Sequence, residues 1–151
     1  MLKPILLVED NPNDLELTLV ALEKSKLAND VIVIRDGGEA LQYLNATDEY
    51  KNRPAGNPAV ILLDLKLPKV DGLEVLRHVR ESPVLKSIPV VMLTSSKEEQ
   101  DLVRSYELGV NAYVVKPVDF QEFIKAISDL GIFWAVLNEP PPGSVRTHRR
   151  A

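Results

Sequence analysis

The chain has 151 residues, which suits one domain of ordinary size, and 45% of them are hydrophobic, enough to bury a sizeable core. It contains no cysteine, which excludes a disulfide framework and thiolate metal sites. The net charge is −4; Glu139, Arg146, Arg149 and Arg150 in the last thirteen residues contribute +2, so residues 1–138 carry −6 and lack the clustered Lys and Arg that nucleic-acid phosphates require.

The opening stretch, MLKPILLVED, reaches an acidic pair after only four apolar residues, which is unlike a secretory signal. No apolar run approaches membrane-spanning length, so a soluble, cytoplasmic protein is expected. The first apolar run is Ile5–Val8. Pro12 then stands where a helix begins, behind Asn11 as N-cap, and Leu15, Leu19 and Leu22 follow at helical spacing. A second run, Val31–Ile34, precedes Gly37-Gly38 and a helix carrying Ala40, Leu41 and Leu44. Residues 47–58, TDEYKNRPAGNP, form a polar connection longer than most. The third run, Val60–Leu63, ends on Asp64, and Asp71-Gly72 opens a helix with Leu73, Leu76 and Val79. After the fourth run, Val90–Leu93, a helix follows Ser96 and carries Leu102, Val103 and Tyr106, with Gly109 as its C′ residue. The fifth run is Ala112–Val115; Asp119 then caps a helix with Phe120, Phe123, Ile127, Leu130, Trp134 and Leu137 on one stripe. Residues 139–151 form a Pro-rich, basic tail that cannot continue a helix.

Four of the five runs are rich in Val and Ile, and none alternates strictly with polar residues. That pattern belongs to parallel strands covered on both faces, so the expected class is α/β with (βα)₅ order. Ligands of such sheets bind outside the carboxyl ends of the strands. There the chain places Glu9-Asp10, Asp64, Thr94-Ser95 and Lys116-Pro117. Helix capping accounts for Asn11 and Asp71, and for Thr94 or Ser96 as well as function does. It does not account for Glu9, Asp10 and Asp64 together, because carboxylates sharing a pocket repel one another. Lys116 supplies one positive charge, and a divalent cation with oxygen ligands, such as Mg²⁺, would supply more.

No Ser–His or Cys–His pair is available: His78 lies in a helix and His148 in the tail. A carboxylate can itself be the nucleophile in phosphoryl transfer, with neighbouring cations neutralising the phosphoryl oxygens.

Taken together, VEDNPND, ILLDLKLPKVDG, MLTSS and AYVVKPVD resemble the receiver domain of two-component response regulators over about residues 3–130. The resemblance implies a flavodoxin-like, doubly wound parallel sheet of five strands in the order 2-1-3-4-5. It implies that Asp64 accepts a phosphoryl group. It further implies that Asp10 ligates Mg²⁺ (or Mn²⁺) directly, with Glu9 its water-mediated neighbour and the backbone carbonyl of Lys66 a further ligand. Thr94 resembles the switch hydroxyl, Lys116 the lysine that pairs with the phosphoryl group, and Tyr113 the switch aromatic. The alternative for Tyr113 is a half-buried strand tyrosine. Pro117 would follow a cis peptide bond.

The 47–58 loop, the ending FWAVLNEPPP and the lack of an output domain resemble single-domain regulators of cyanobacterial phytochrome histidine kinases. The implied receiver spans residues 1–138 and the implied partner is a histidine kinase, with a bacterial phytochrome as candidate. That kinase would dock near Pro12–Leu22. Ile132, Phe133 and Val136 have no core left to enter, so a homodimer through the last helix is expected; the tail folding back over them is the alternative. Neither DNA nor membrane contact is expected.

Two rivals remain at this point. A flavodoxin-like small-molecule or nucleotide-binding module would want Ser, Thr and Gly after the first strand, where Glu9-Asp10 stands. An aspartyl-phosphate hydrolase of the haloacid dehalogenase type would want its nucleophile after the first strand with a second Asp two residues on. Asp64 is central and is followed by Leu65-Lys66.

Overall fold

The structure, a computed structural model, describes residues 2–25, 27–95, 104–116, 119, 121, 122 and 125. Five parallel strands form one sheet in the order β2-β1-β3-β4-β5. They are β1 (Ile5–Val8), β2 (Val31–Ile34), β3 (Val60–Asp64), β4 (Val90–Thr94) and β5 (Ala112–Val115). The helices are α1 (Pro12–Lys24), α2 (Gly37–Asn45) and α3 (Gly72–Glu81), with a further helical segment at residues 104–107. The five apolar runs are the five strands, and the order is the flavodoxin-like one.

Period-two alternation explains how the sheet is covered. Ile5, Leu7, Val31, Val60, Leu62, Val91, Leu93 and Val114 pack in one cluster with Leu15, Ala21 and Leu22 of α1. The intervening residues Leu6, Val8, Ile34, Ile61, Leu63, Val90 and Met92 pack in a second cluster with α2 and α3. Strands β1 and β3 are fully buried on both faces, which is why they read as continuous apolar runs. Each such Leu or Ile contributes about 1.5–3 kcal/mol through removal from water.

The helix starts follow their capping chemistry. Asn11 Oδ1 accepts from Asn13 N at 2.9 Å and Asp14 N at 3.0 Å. Asp36 Oδ1 accepts from Glu39 N and Asp71 Oδ1 from Glu74 N. Asp119 Oδ1 accepts from Glu122 N at 2.7 Å, the capping bond expected there. Gly109 has φ +88° and ends its helix as expected. On α1, Leu15 is buried and Leu19 packs against the core, so the stretch expected to meet a kinase offers other side chains to solvent. Leu17 and Val20 are exposed, at 50% and 43%.

The long polar connection is organised, which its composition did not announce. Asp48–Tyr50 form a 3-10 turn. Arg53 Nε and Nη2 donate to the Tyr43 and Leu44 carbonyls at the end of α2, and Nη1 donates to Pro54 O and Gly56 O. Its guanidinium lies 4.5 Å from the centroid of the Tyr43 ring, which Tyr50 meets edge-on. The Tyr50 hydroxyl donates to Glu39 Oε1.

A second guanidinium closes the opposite end of the sheet. Arg80 Nε donates to Gly109 O at 2.8 Å, Nη1 to Lys86 O and Ile88 O, and Nη2 to Asn111 Oδ1 at 2.7 Å. Asn111 Oδ1 also accepts from Val90 N, so α3 is tied to the starts of β4 and β5. Pro117, Ile132, Phe133, Val136 and the 139–151 tail are expectations that lie outside the described residues, and the helix after Asp119 rests on them only at Asp119, Gln121, Glu122 and Lys125.

Arg80→Ala is expected to destabilise the fold by about 2 kcal/mol, because the part-buried Ile88 carbonyl, two further carbonyls and the Asn111 side chain lose a charged donor at once. Arg80→Lys should recover less than half of that, since an ammonium cannot span the same fork. Urea unfolding measures both; a loss within about 0.5 kcal/mol for Arg80→Ala, the range of an ordinary surface change, would contradict the role.

Candidate functional site

The alternation that divides the core also selects what meets at the carboxyl edge. Ile5 and Leu7 face α1, and Glu9 follows at the same parity. Val60 and Leu62 face α1, and Asp64 follows; Val114 faces α1, and Lys116 follows. Three polar side chains from three strands therefore emerge on the side that the first turn of α1 covers.

Their geometry is tight. Lys116 Nζ lies 2.8 Å from Glu9 Oε1, 2.8 Å from Asp14 Oδ2 and 3.4 Å from Asp64 Oδ2. The Lys116 side chain is 6% exposed, Glu9 and Asp64 are buried, and the Asp14 side chain is 31% exposed. Glu9 Oε2 also accepts from Asn11 N, so the residue that caps α1 orients this carboxylate too.

The charges do not balance. One ammonium faces three carboxylates. Burial, then the hydrogen bond and charge of neighbouring Glu9, raise the Asp64 carboxyl from 3.8 to about 7, against the opposing pull of Lys116. Burial works against the charge on Lys116, yet hydrogen bonds to Asp14 and Glu9 and the nearby Asp64 charge raise its pKa overall. This pocket holds excess negative charge in a dry setting, made of hard oxygen donors, and that donor set suits a divalent cation. Glu9, Asp10 and Asp64 are the residues that could hold it. Asp10 is exposed at the rim, and among the described residues no three acidic or histidine side chains already converge as a cage. Lys116 stands between Glu9 and Asp64 instead.

The backbone around Asp64 is shaped by Gly72. Gly72 N donates to Leu65 O at 2.9 Å, and a Cβ at position 72 would lie 2.2 Å from Asp64 O. A side chain there would have to displace the end of β3. Within the same turn Lys69 adopts φ +67°, a left-handed conformation that lysine rarely takes.

The other expected site residues stand as follows. Lys66 is exposed two residues past Asp64. Thr94 ends β4 and pairs with Val115, one residue beyond the partner of Asp64. Tyr113 lies in β5 opposite Met92, half-buried against the α2–α3 side of the core. His78 is not in the pocket; its Nε2 meets the Asn45 side chain across α2 and α3. Two residues escaped the sequence reading. Asp14 closes the VEDNPND stretch but was given no role, and Gly72 appeared only as a helix start. Alternation of Glu9, Asp64 and Lys116 toward the α1 side was the available signal for Asp14.

A family model described as the response regulator receiver domain matches residues 5–128. The response regulator Rcp1 of Synechocystis sp. is 44% identical over 132 residues, 87% of this chain and 88% of that protein. A structure of Rcp1 in an Mn²⁺-bound form is 40% identical, with TM-score 0.73, covering 96% of this chain and 99% of the other. The bacteriophytochrome response regulator RtBRR is 75% identical with TM-score 0.85, covering 95% and 87%. The phosphorylated cyanobacterial phytochrome response regulator RcpA is 43% identical with TM-score 0.74, covering 89% and 94%.

Without metal, native Asp64 binds its proton more tightly than the unfolded chain does. Stability is therefore expected to fall as pH rises from about 4 to about 7, by at most ~4 kcal/mol from this group. Asp64→Asn should remove much of that slope and be the more stable protein at pH 8. Urea titrations of both proteins at pH 5 and pH 8, in EDTA, test this; parallel losses in the two would count against it.

Proposed function

This chain belongs to the response regulator receiver domain family of two-component signalling, and within it we propose that Asp64 accepts a phosphoryl group from a histidine kinase and thereby resets a partner-binding surface. The observation that carries the reading is the buried Asp64 carboxylate at the end of β3, with the Lys116 ammonium 3.4 Å away and buried Glu9 beside it. A Asp64 oxygen attacks phosphorus as the bond to the kinase histidine nitrogen breaks; the imidazole leaves with the electron pair. Lys116 donates to a phosphoryl oxygen, and Thr94 is the candidate hydroxyl for another. A divalent cation, Mg²⁺ or Mn²⁺, would be held by Glu9, Asp10, Asp64 and the Lys66 carbonyl, and when bound would neutralise charge on the phosphoryl oxygens. The Mn²⁺-bound relative supports the cation. Tyr113 is the candidate aromatic whose packing responds. The protein is a phosphoacceptor whose only catalysis is of its own phosphorylation and dephosphorylation.

The 75% identity with a bacteriophytochrome response regulator supports a bacterial phytochrome as the kinase. Exposed Leu17 and Val20, one turn apart on α1 and close to the acceptor pocket, are its docking side chains.

With acetyl phosphate and Mg²⁺, intact-protein mass spectra should show one added phosphoryl group on the wild type, none on Asp64→Asn, and none after EDTA. Equal labelling of both proteins would remove Asp64 as acceptor. Leu17→Glu should slow transfer from a phosphorylated bacteriophytochrome kinase by about tenfold or more, as expected for a lost interface anchor. Its labelling by acetyl phosphate should stay unchanged, and equal transfer rates would move the docking surface elsewhere.

A further inference from the structure

Lys116 has as many acceptors as an ammonium has donors, so any further acceptor competes with one already there. An ammonium carries three N–H donors. Two point to Glu9 and Asp14 at 2.8 Å, and Asp64 stands at 3.4 Å. A phosphoryl group on Asp64 brings additional oxygens and about −2 of charge to the same ammonium. One phosphoryl oxygen can take the donor that faces Asp64; once the added charge draws a second donor, one of the two 2.8 Å contacts has to give way.

The three differ in how readily they can be released. Glu9 is wholly buried and also receives Asn11 N, so freeing it would strand a carboxylate away from water. Asp64 carries the new group. Asp14 is 31% exposed and lies in the first turn of α1, where water can take over its hydrogen bond. Its release is the least costly of the three. Asp14 is also the only one of them on a helix that presents exposed apolar side chains, Leu17 about one turn on and Val20 about two.

We propose that Asp14 is a positioning residue that holds Lys116 in the unphosphorylated protein and surrenders it to the phosphoryl group, so that occupancy of Asp64 is felt at the first turn of α1. This rests on the receiver reading above. The tie works against phosphorylation, because the Lys116–Asp14 contact is lost when Lys116 turns to the new oxygens. It also gives α1 two electrostatic settings, one tied to β5 and one free, on the helix that offers Leu17 and Val20. A kinase that docks there would thus meet a different first turn before and after transfer.

The test uses beryllofluoride, a tetrahedral mimic of a phosphoryl group on a carboxylate, with Mg²⁺ and the full chain. Calorimetric titration compares wild type with Asp14→Asn, Asp14→Glu and Glu16→Gln. Glu16→Gln removes the same charge from the exposed side of α1 and serves as the control for long-range electrostatics. Asp14→Asn is expected to bind about 3- to 5-fold more tightly than wild type, the upper part of the range for a lost partly exposed ion pair. Glu16→Gln should stay within about twofold, since an exposed charge at that distance is largely screened. Asp14→Glu, which keeps the carboxylate, should return toward wild type. Amide resonances of Asn13, Asp14 and Leu15 should shift on binding in wild type and much less in Asp14→Asn, a signature that a merely structural residue would not give. If wild type binds but Asp14→Asn matches Glu16→Gln, the proposal falls and the receiver reading stands. If wild type does not bind beryllofluoride at all, the receiver chemistry fails and this proposal fails with it.

Discussion

One buried ammonium holds the carboxyl edge of this sheet together. Without Lys116, Glu9 and Asp64 would face each other in a dry pocket with nothing to offset their charge. With it the edge is still under-neutralised, three carboxylates to one ammonium, and burial followed by neighbouring Glu9 raises the Asp64 carboxyl. A pocket of this kind is costly for a fold that needs only stability. It suits a protein that must accept a cation and a phosphoryl group at the same place. The unmet charge is what the proposed cation and phosphoryl group would answer.

That pocket depends on the sheet being buried on both faces. A sheet with one wet face would let alternate residues point to water, and the edge carboxylates would be solvated. Here α1 covers one side and α2 with α3 the other, so Glu9, Asp64 and Lys116 are all carried to the α1 side by strand parity. The close approach at Gly72 then seats the start of α3 against the end of β3. Asp64 is held by backbone from behind and by charge from in front.

Two arginines show how the rest of the chain is closed around this frame. Arg53 gathers the end of α2 and the long loop by satisfying four carbonyls, and Arg80 joins α3 to the starts of β4 and β5. Both use the planar fork of the guanidinium where backbone acceptors of irregular segments would otherwise go unmet. Arg53 also explains how a loop as polar as TDEYKNRPAGNP acquires structure: it packs through cation–π and edge-on aromatic contacts with Tyr43 and Tyr50 rather than through an apolar core.

Much of the frame was legible in the residues themselves. Runs such as Ile5–Val8 and Val60–Leu63 are strands because nothing polar interrupts them, and Asn11, Asp71 and Gly109 punctuate helices through local backbone chemistry that needs no distant partner. The acidic residues after the first and third runs announced a charged edge for the same reason: a strand end and its next residue are adjacent in sequence. What only the tertiary structure decided is which distant side chains meet there. Asp14 touches Lys116, 102 residues away, because α1 lies over the face that strand parity selects. Gly72 is required by the nearness of Asp64 O, and Leu17 rather than Leu15 or Leu19 is exposed because the rotation of α1 follows its packing. Periodicity is local and survives in the sequence; proximity is set by how packed faces settle against one another, and no short stretch of chain records it.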